Sequence, residues 1–232
     1  NQIKFLNTIF ANEINNKENK NIFEVKSLNS KINQSKINYN GIVNVKPFHF
    51  DFKFVISEVN LHHLVFFNSF FEKMINNLLL ENKNLNGNIV FHLKNIKKNK
   101  LIDKGIINLK IKRGEFDFSE SEFTIKNIGK AKVVSSRFFN NEDKINLQLN
   151  LNLFIDDQDK LYKKFLISKK NRIDLKKVFC TVEINPLEKE LIISDFEVND
   201  KDHKFYNETA YIISSLQDLR KSINEILINY EG

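Results

Sequence analysis

Tryptophan is absent from this 232-residue chain, and four other residue types are scarce: one Cys, one Met, two Pro and six Gly. Each shortage closes a route. The lone cysteine, Cys180, forms no internal disulfide, and its setting, VFCTVEI, is the apolar, strand-like surrounding of a buried inert thiol rather than a nucleophile. The few glycines make no Walker A loop and no dinucleotide fingerprint, and no G-x-S-x-G elbow occurs. Without Trp, and with no carboxylate pair enclosed by aromatic residues, a sugar-hydrolysing cleft has no support. No run of about 18 apolar residues exists, so no transmembrane helix is encoded in these residues. No Pro-, Gly- or Ser-rich linker interrupts the chain, which is therefore expected to form a single β-rich domain over residues 1–232. It opens on Asn1 with nothing resembling a signal peptide, and is expected to be a mature product or a fragment of a longer protein.

Arginine is also rare. The formal net charge is +7, yet it rests on lysine, with only Arg113, Arg137, Arg172 and Arg220 to offer planar forks. Arg forks are the preferred device for phosphate and base-edge recognition, and acids or Asn are interspersed almost everywhere, so a nucleic-acid partner is not expected. Asn, Lys, Ile and Phe dominate, all with AT-rich codons, so genomic bias accounts for much of the charge. The densest basic run, KKFLISKKNRIDLKK over Lys163–Lys177, reads either as a solvated face or as a contact for anionic membrane head groups.

Five histidines, His49, His62, His63, His92 and His203, are scattered. The adjacent pair would diverge by about 100° on a helix, and no Cys or carboxylate stands at ligand spacing, so neither a metal nor a cofactor is expected. The acidic DDQD at Asp156–Asp159 lacks the glycine and distant Glu of an EF-hand loop, and its place at a strand-to-helix junction suits helix capping. Nothing here assembles a catalytic group, and the chain is expected not to be an enzyme.

What is present is alternation. FHFDFKFVI places Phe48, Phe50, Phe52, Phe54 and Ile56 on one side of an extended chain and His49, Asp51, Lys53 and Val55 on the other. KINLQLNLNLFI repeats the message in aliphatic form, with Ile145, Leu147, Leu149, Leu151, Leu153 and Ile155 against Lys144, Asn146, Gln148, Asn150 and Asn152. LNGNIVFHLK adds Ile89, Phe91 and Leu93; IINLKIKRGEFDF adds Ile107, Leu109 and Ile111, then Phe116 and Phe118. Short strands are expected around Ile3–Phe10 and Ile22–Leu28, separated by the polar run NEINNKENKN. In KINYNGIVNV, Asn40-Gly41 marks either a hairpin turn or a bulge within one long strand. VFCTVEI and ELIISDFEV should form a hairpin.

The period changes in three places. An amphipathic helix is expected over 61–80, a short one over Gln158–Ile167, and a closing one over 206–230. On the last, Ile212, Leu216, Leu219, Ile223, Ile226 and Tyr230 form a seam suited to a sheet or a partner helix. About nine one-sided strands offer more apolar face than about three helices cover, so the face must meet a second sheet or curve around something apolar.

Residues 36–200 resemble the C-terminal region of AsmA-like proteins of the AsmA/TamB type, within the bridge-like lipid-transfer superfamily. The likeness is carried by Gly41, Lys46-Pro47-Phe48, Leu61, Leu85-Asn86-Gly87 and LYKKFLISKKNR. It implies a long, curved antiparallel sheet shaped into a taco-like hydrophobic groove, with amphipathic helices packed on it, in a mainly β fold. It also implies a periplasmic protein of a Gram-negative cell envelope, anchored to the inner membrane by a segment outside these residues and linked to phospholipid transport and outer membrane biogenesis. Combined with the alternation, the groove-facing residues are expected to be Phe48, Phe50, Phe52, Phe54, Ile89, Phe91, Leu93, Ile145, Leu147, Leu149, Leu151 and Leu153. Phospholipid acyl chains would bind there, with an anionic membrane surface or envelope proteins as further partners. The competing expectation is a structural β-sandwich that binds protein partners.

Overall fold

A computed structural model describes the chain apart from residues 1, 6–7, 17–20, 33–34, 61–81, 98–100, 142–143, 186–189, 200, 203–210, 213–215 and 229–232. The fold is mainly β, with 64% strand and, among the described residues, two α-helices, and its strands pair in a mixed sheet. The chain divides into two compact units, Asn1–Phe123 and Thr124–Gly232. The division falls inside a strand, Glu122–Ile125, which is why no linker composition marks it.

The first unit contains β1 (Gln2–Phe5), β2 (Thr8–Asn16), β3 (Ile22–Ser27), β4 (Ser30–Ile32), β5 (Ser35–Val45), β6 (Phe48–Ile56), β7 (Val59–Asn60), β8 (Gly87–Leu93), β9 (Ile96–Lys97), β10 (Ile102–Lys112), β11 (Glu115–Asp117) and β12 (Glu122–Ile125). Its strands run in the order β1-β2-β3-β5-β6-β8-β10-β12, with β4 beside β2 and β5, and β11 beside β10. From β1 to β10 neighbours are antiparallel except β6 and β8, which are parallel, as are β7 and β9 in a separate two-stranded sheet. The expected antiparallel sheet is thus corrected to a mixed one. The physical reason is the long connection between Ile56 and Gly87, since a parallel pair requires a crossover of a dozen residues or more. The helix expected over 61–80 lies outside the described residues.

Two local expectations also change. Strand β2 runs straight through Asn12–Asn16, where a polar break was expected, because β3 pairs with that stretch residue for residue from Asn12↔Ser27 to Asn16↔Phe23. Backbone pairing, not side-chain polarity, decides the strand there. Asn40-Gly41 is neither turn nor bulge: β5 passes through it in unbroken register with β6 from Ile37↔Ile56 to Val45↔Phe48. The turn lies at Lys46-Pro47 instead. Arg113 (φ 52°) and Gly114 (φ 78°) close the β10–β11 hairpin with two positive φ angles, the geometry that suits the twist of paired strands.

The second unit contains β13 (Gly129–Asn141), β14 (Lys144–Ile155), α1 (Gln158–Phe165), β15 (Lys177–Asn185), β16 (Glu190–Val198), β17 (Lys201–Asp202), β18 (Tyr211–Ile212) and α2 (Leu216–Ile228). Strands β13 to β17 pair antiparallel in sequence order, and β18 pairs with β16. The β15–β16 hairpin expected from the pattern is present. The closing helix starts later than expected. Tyr211 and Ile212 extend along β16 opposite Ile193 and Ile192, so Ile212 belongs to a strand and not to the helical seam. Asp157 caps α1, its carboxylate accepting the Lys160 N–H at 2.9 Å, in accord with the capping expectation for the acidic run. Beneath α1, Leu161, Tyr162, Phe165, Ile167 and Leu175 are buried.

Candidate functional site: an aromatic sheet face

Register places the alternating residues in rows. Phe23, Val43, Phe50, Gly87 and Ile111 face one another across β3, β5, β6, β8 and β10. The next row is Val25, Gly41, Phe52, Ile89 and Leu109, and the next is Tyr39, Phe54, Phe91 and Ile107. A fourth row, Ile37, Ile56, Leu93 and Gly105, ends the face. Side chains opposite one another in a sheet share a side. The result is an apolar surface several strands wide, built from residues far apart in sequence.

Phe48, Phe50, Phe52 and Phe54 form a continuous ring stack along β6, with successive centroids 6.0, 6.3 and 5.9 Å apart. Phe54 also meets Tyr39 at 5.1 Å and Phe91 at 5.0 Å. These separations and the mostly tilted or offset ring planes lie in the favourable range for aromatic pairs. Glycines make room for the rings. A Cβ on Gly41 would fall 2.3 Å from Cδ1 of Phe52, and one on Gly87 would fall 2.6 Å from Cδ2 of Phe50. The Tyr39 hydroxyl, within this face, donates to Oδ1 of Asn12 and accepts from the Ser30 hydroxyl at 3.4 Å. Burial pushes its pKa up.

Burial is graded along the strands. Ile37, Ile56 and Leu93 are 1–2% exposed, whereas Val45 and Phe48 at the opposite end are 45% and 42% exposed. Phe50, Phe52, Phe54 and Ile89 are half-buried between these limits, and Phe91 is buried. On β5 and β6 one end of the face is therefore a core and the other meets solvent, while Gly87 and Ile111 on β8 and β10, in the row of Phe50, stay buried.

The other side of the same strands is charged. Asp51 accepts from His49 at 3.0 Å and from the Asn88 amide at 2.6 Å, and Lys110 pairs with Glu120 at 3.1 Å. The pKa of His92 is lowered by burial, with Lys53 and Lys94 adding to the effect. A shallow concavity of about 380 Å³ opens on this side, lined by the charged Glu24, Lys26, Asp51 and Lys53 and by the apolar Ile42 and Val90.

In the second unit Leu147, Leu149, Leu151 and Leu153 share a face with Phe138, Ser136, Val133 and Ala131 of β13 and with Ile184, Val182, Cys180 and Val178 of β15. Leu147 is buried and the other three leucines are half-buried. Ile145 pairs with Asn140 in the same backbone register. The opposite side is a polar ladder: Arg137 donates to Gln148 at 2.6 Å and Gln148 donates to Glu183 at 3.1 Å, while Asn150 donates to Ser135 at 2.9 Å and accepts from Thr181 at 3.1 Å. Cys180, 4% exposed, has its thiol pushed up to about 12 by burial, so it stays protonated near neutrality.

The twelve residues expected to line a groove thus fall into two sets. Phe48, Phe50, Phe52, Phe54, Ile89, Phe91 and Leu93 come together in the first unit, and Ile145, Leu147, Leu149, Leu151 and Leu153 in the second. Val25, Tyr39, Gly41, Gly87 and Leu109 belong to the first face as fully as the phenylalanines but were not among the expected site residues. Tyr39 and Leu109 already stood in alternating segments, which was the available signal. Among the described residues no group of three or more His, Cys, Asp or Glu could hold a metal, and no helix is long and apolar enough to cross a membrane. No protein-family model matches the chain, and no curated protein matches it significantly.

Proposed function

We propose that the chain is a non-enzymatic segment of a cell-envelope protein that binds phospholipid acyl chains along the aromatic face of its first unit. The observation that carries this reading is the exposure gradient on that face, from buried Ile37, Ile56 and Leu93 to half-open Phe50 and exposed Phe48 and Val45. A row that ends in open phenylalanine at one end offers an acyl chain a continuous apolar track. Each phenylalanine moved from water into hydrocarbon gains roughly 1.5–3 kcal/mol, so several together give useful affinity without head-group contacts. The likeness to AsmA-like proteins supplies the wider setting: a groove on a curved sheet with amphipathic helices, a periplasmic location, an inner-membrane anchor outside residues 1–232, and a part in lipid transport for outer membrane biogenesis.

Native mass spectrometry of the purified chain, with identification of anything co-purifying, tests the proposal. The expected result is phospholipid bound to the wild type and lost in Phe48→Asp, which alters an exposed ring and leaves β-sheet circular dichroism unchanged. Phe52→Asp and Leu149→Asp probe deeper positions, and their folding is checked in the same way. A wild-type chain that remains free of lipid and refuses added phospholipid overturns the reading and assigns the face to a protein partner or to internal packing.

A further inference from the structure

Helix α1 ends in a way that its sequence makes costly. Leu166 takes a left-handed backbone (φ 59°, ψ 39°) and its N–H donates to the Tyr162 carbonyl, to which the Ile167 N–H also donates at 2.9 Å. The bond from Leu166 is that of the αL cap and the bond from Ile167 is the long bond of a Schellman motif; in both, the left-handed position ordinarily holds glycine because a Cβ there crowds the backbone. Tyr162 and Ile167 are 4% and 3% exposed and supply the buried pair that accompanies the motif. The strained position nonetheless holds leucine, 69% exposed, the largest value among the exposed large hydrophobics of the described residues. Glycine would relieve the backbone and remove the apolar surface, so Leu166 serves neither the fold nor solubility.

The next largest exposure, 60%, belongs to Ile228 at the end of α2. Helix α2 packs on α1 and on the short 3-10 turn Lys169–Asn171 that follows Leu166. Arg220 donates to the Lys164 carbonyl and Asn224 to the Phe165 carbonyl, each at 3.3 Å. Around this tip Lys163, Lys169 and Lys170 are exposed, whereas Arg172 lies over the Tyr162 ring at 5.2 Å and donates to the Ile167 carbonyl at 3.4 Å. The ion pairs of the region are taken by Lys160 with Asp157 and Lys176 with Asp174, which leaves Lys163, Lys169 and Lys170 without an ion-pair partner among the described residues. The other acids on these helices are Asp159, Asp218 and Glu225.

We propose that this tip docks on an anionic phospholipid bilayer, with Leu166 entering the head-group boundary and Lys163, Lys169 and Lys170 meeting the lipid phosphates. An apolar side chain ringed by flexible cations fits a negatively charged interface that is apolar below. A second copy of the chain fits poorly, because the patch would meet its own charge. The inference rests on the second unit alone and does not depend on lipid binding by the aromatic face.

Flotation of the full chain with vesicles of phosphatidylcholine, with and without phosphatidylglycerol, at low and high salt, tests it. The wild type should float with the anionic vesicles only, and less at high salt. Lys169→Glu combined with Lys170→Glu should weaken binding by about 25-fold or more, roughly fivefold for each basic residue lost near such a surface. Leu166→Gly should weaken it by about tenfold or more while the melting temperature holds or rises, a pair of outcomes that a merely structural leucine would reverse. Equal binding to neutral vesicles overturns the proposal, as does wild-type flotation by Leu166→Gly. A sedimentation mass that falls in Leu166→Gly assigns the tip to self-association instead. Flotation lost in Phe48→Asp but kept in the tip variants assigns membrane contact to the aromatic face and also overturns it.

Discussion

Replacing Gly41 by alanine tests whether the aromatic face is built by glycine–phenylalanine pairing across strands. A Cβ at this position would lie 2.3 Å from Cδ1 and 2.6 Å from Cε1 of Phe52, and also 2.6 Å from the Asp51 carbonyl oxygen. The ring can rotate away, but the carbonyl is held in the β5–β6 ladder where Gly41 faces Phe52. Overpacking of this kind costs about 1–3 kcal/mol. Alanine recovers roughly 0.5–1 kcal/mol because it loses less backbone freedom than glycine on folding. The net expectation is therefore a loss of up to about 2.5 kcal/mol, read as a fall of up to about 10 °C in melting temperature for a unit of this size. Asn40→Ala, one residue earlier and exposed on the opposite side, should stay within about 0.5 kcal/mol of wild type. Adding Phe52→Leu to Gly41→Ala removes the ring contacts but not the carbonyl contact, so the pair should be less destabilised than the sum of the single variants. A Gly41→Ala variant more stable than wild type would refute the close approach of ring and strand and with it the packing described for this face.

Cys180 should resist iodoacetamide in the native protein at mildly alkaline pH and react fully in denaturant, because burial pushes its thiol up to about 12; fast native labelling, measured by mass shift, would place it in an exposed position. Asp157 is held below its ordinary carboxyl value of 3.8 by its hydrogen bonds with the Lys160 side chain and backbone N–H. A folded-state pKa below the unfolded one gives stability that is present above 3.8 and lost as pH falls through the lower folded value. Asp157→Ala should therefore melt below wild type at neutral pH, with the difference shrinking in acid; a gap independent of pH would remove the charged cap from the account.

Strand positions were legible wherever one side is wet, since period-two alternation survives any tertiary arrangement. Phe48–Ile56 and Lys144–Ile155 are strands for that reason. So was the start of α1, because an acid before a helix has a local reason to be there. What could not be read locally was decided across strands. Asn40-Gly41 carries a turn signature, yet its glycine answers to Phe52 on the neighbouring strand. The parallel pairing of β6 with β8 depends on a connection that no period within either strand encodes. Leu166 was unreadable for a further reason: propensity assigns the left-handed position to glycine or asparagine, and the chain places leucine there.

Alternation alone never distinguishes a face covered by protein from one that receives a ligand, because both require the same apolar side. The difference lies in how exposure varies along the strand. The face on β5 and β6 passes from buried Ile37, Tyr39 and Ile56 through half-buried Val43, Phe50, Phe52 and Phe54 to exposed Val45 and Phe48 at the turn. An acyl chain bound to such a face would enter at Phe48, where the rings are already in contact with solvent, and would stop at the packed row formed by Ile37, Ile56 and Leu93. Affinity should then fall in sequence order along β6. Phe48→Asp should weaken the first contact with lipid, and a change at Phe52 should shorten the track that remains. A site filled from the buried end would lose affinity in the reverse order.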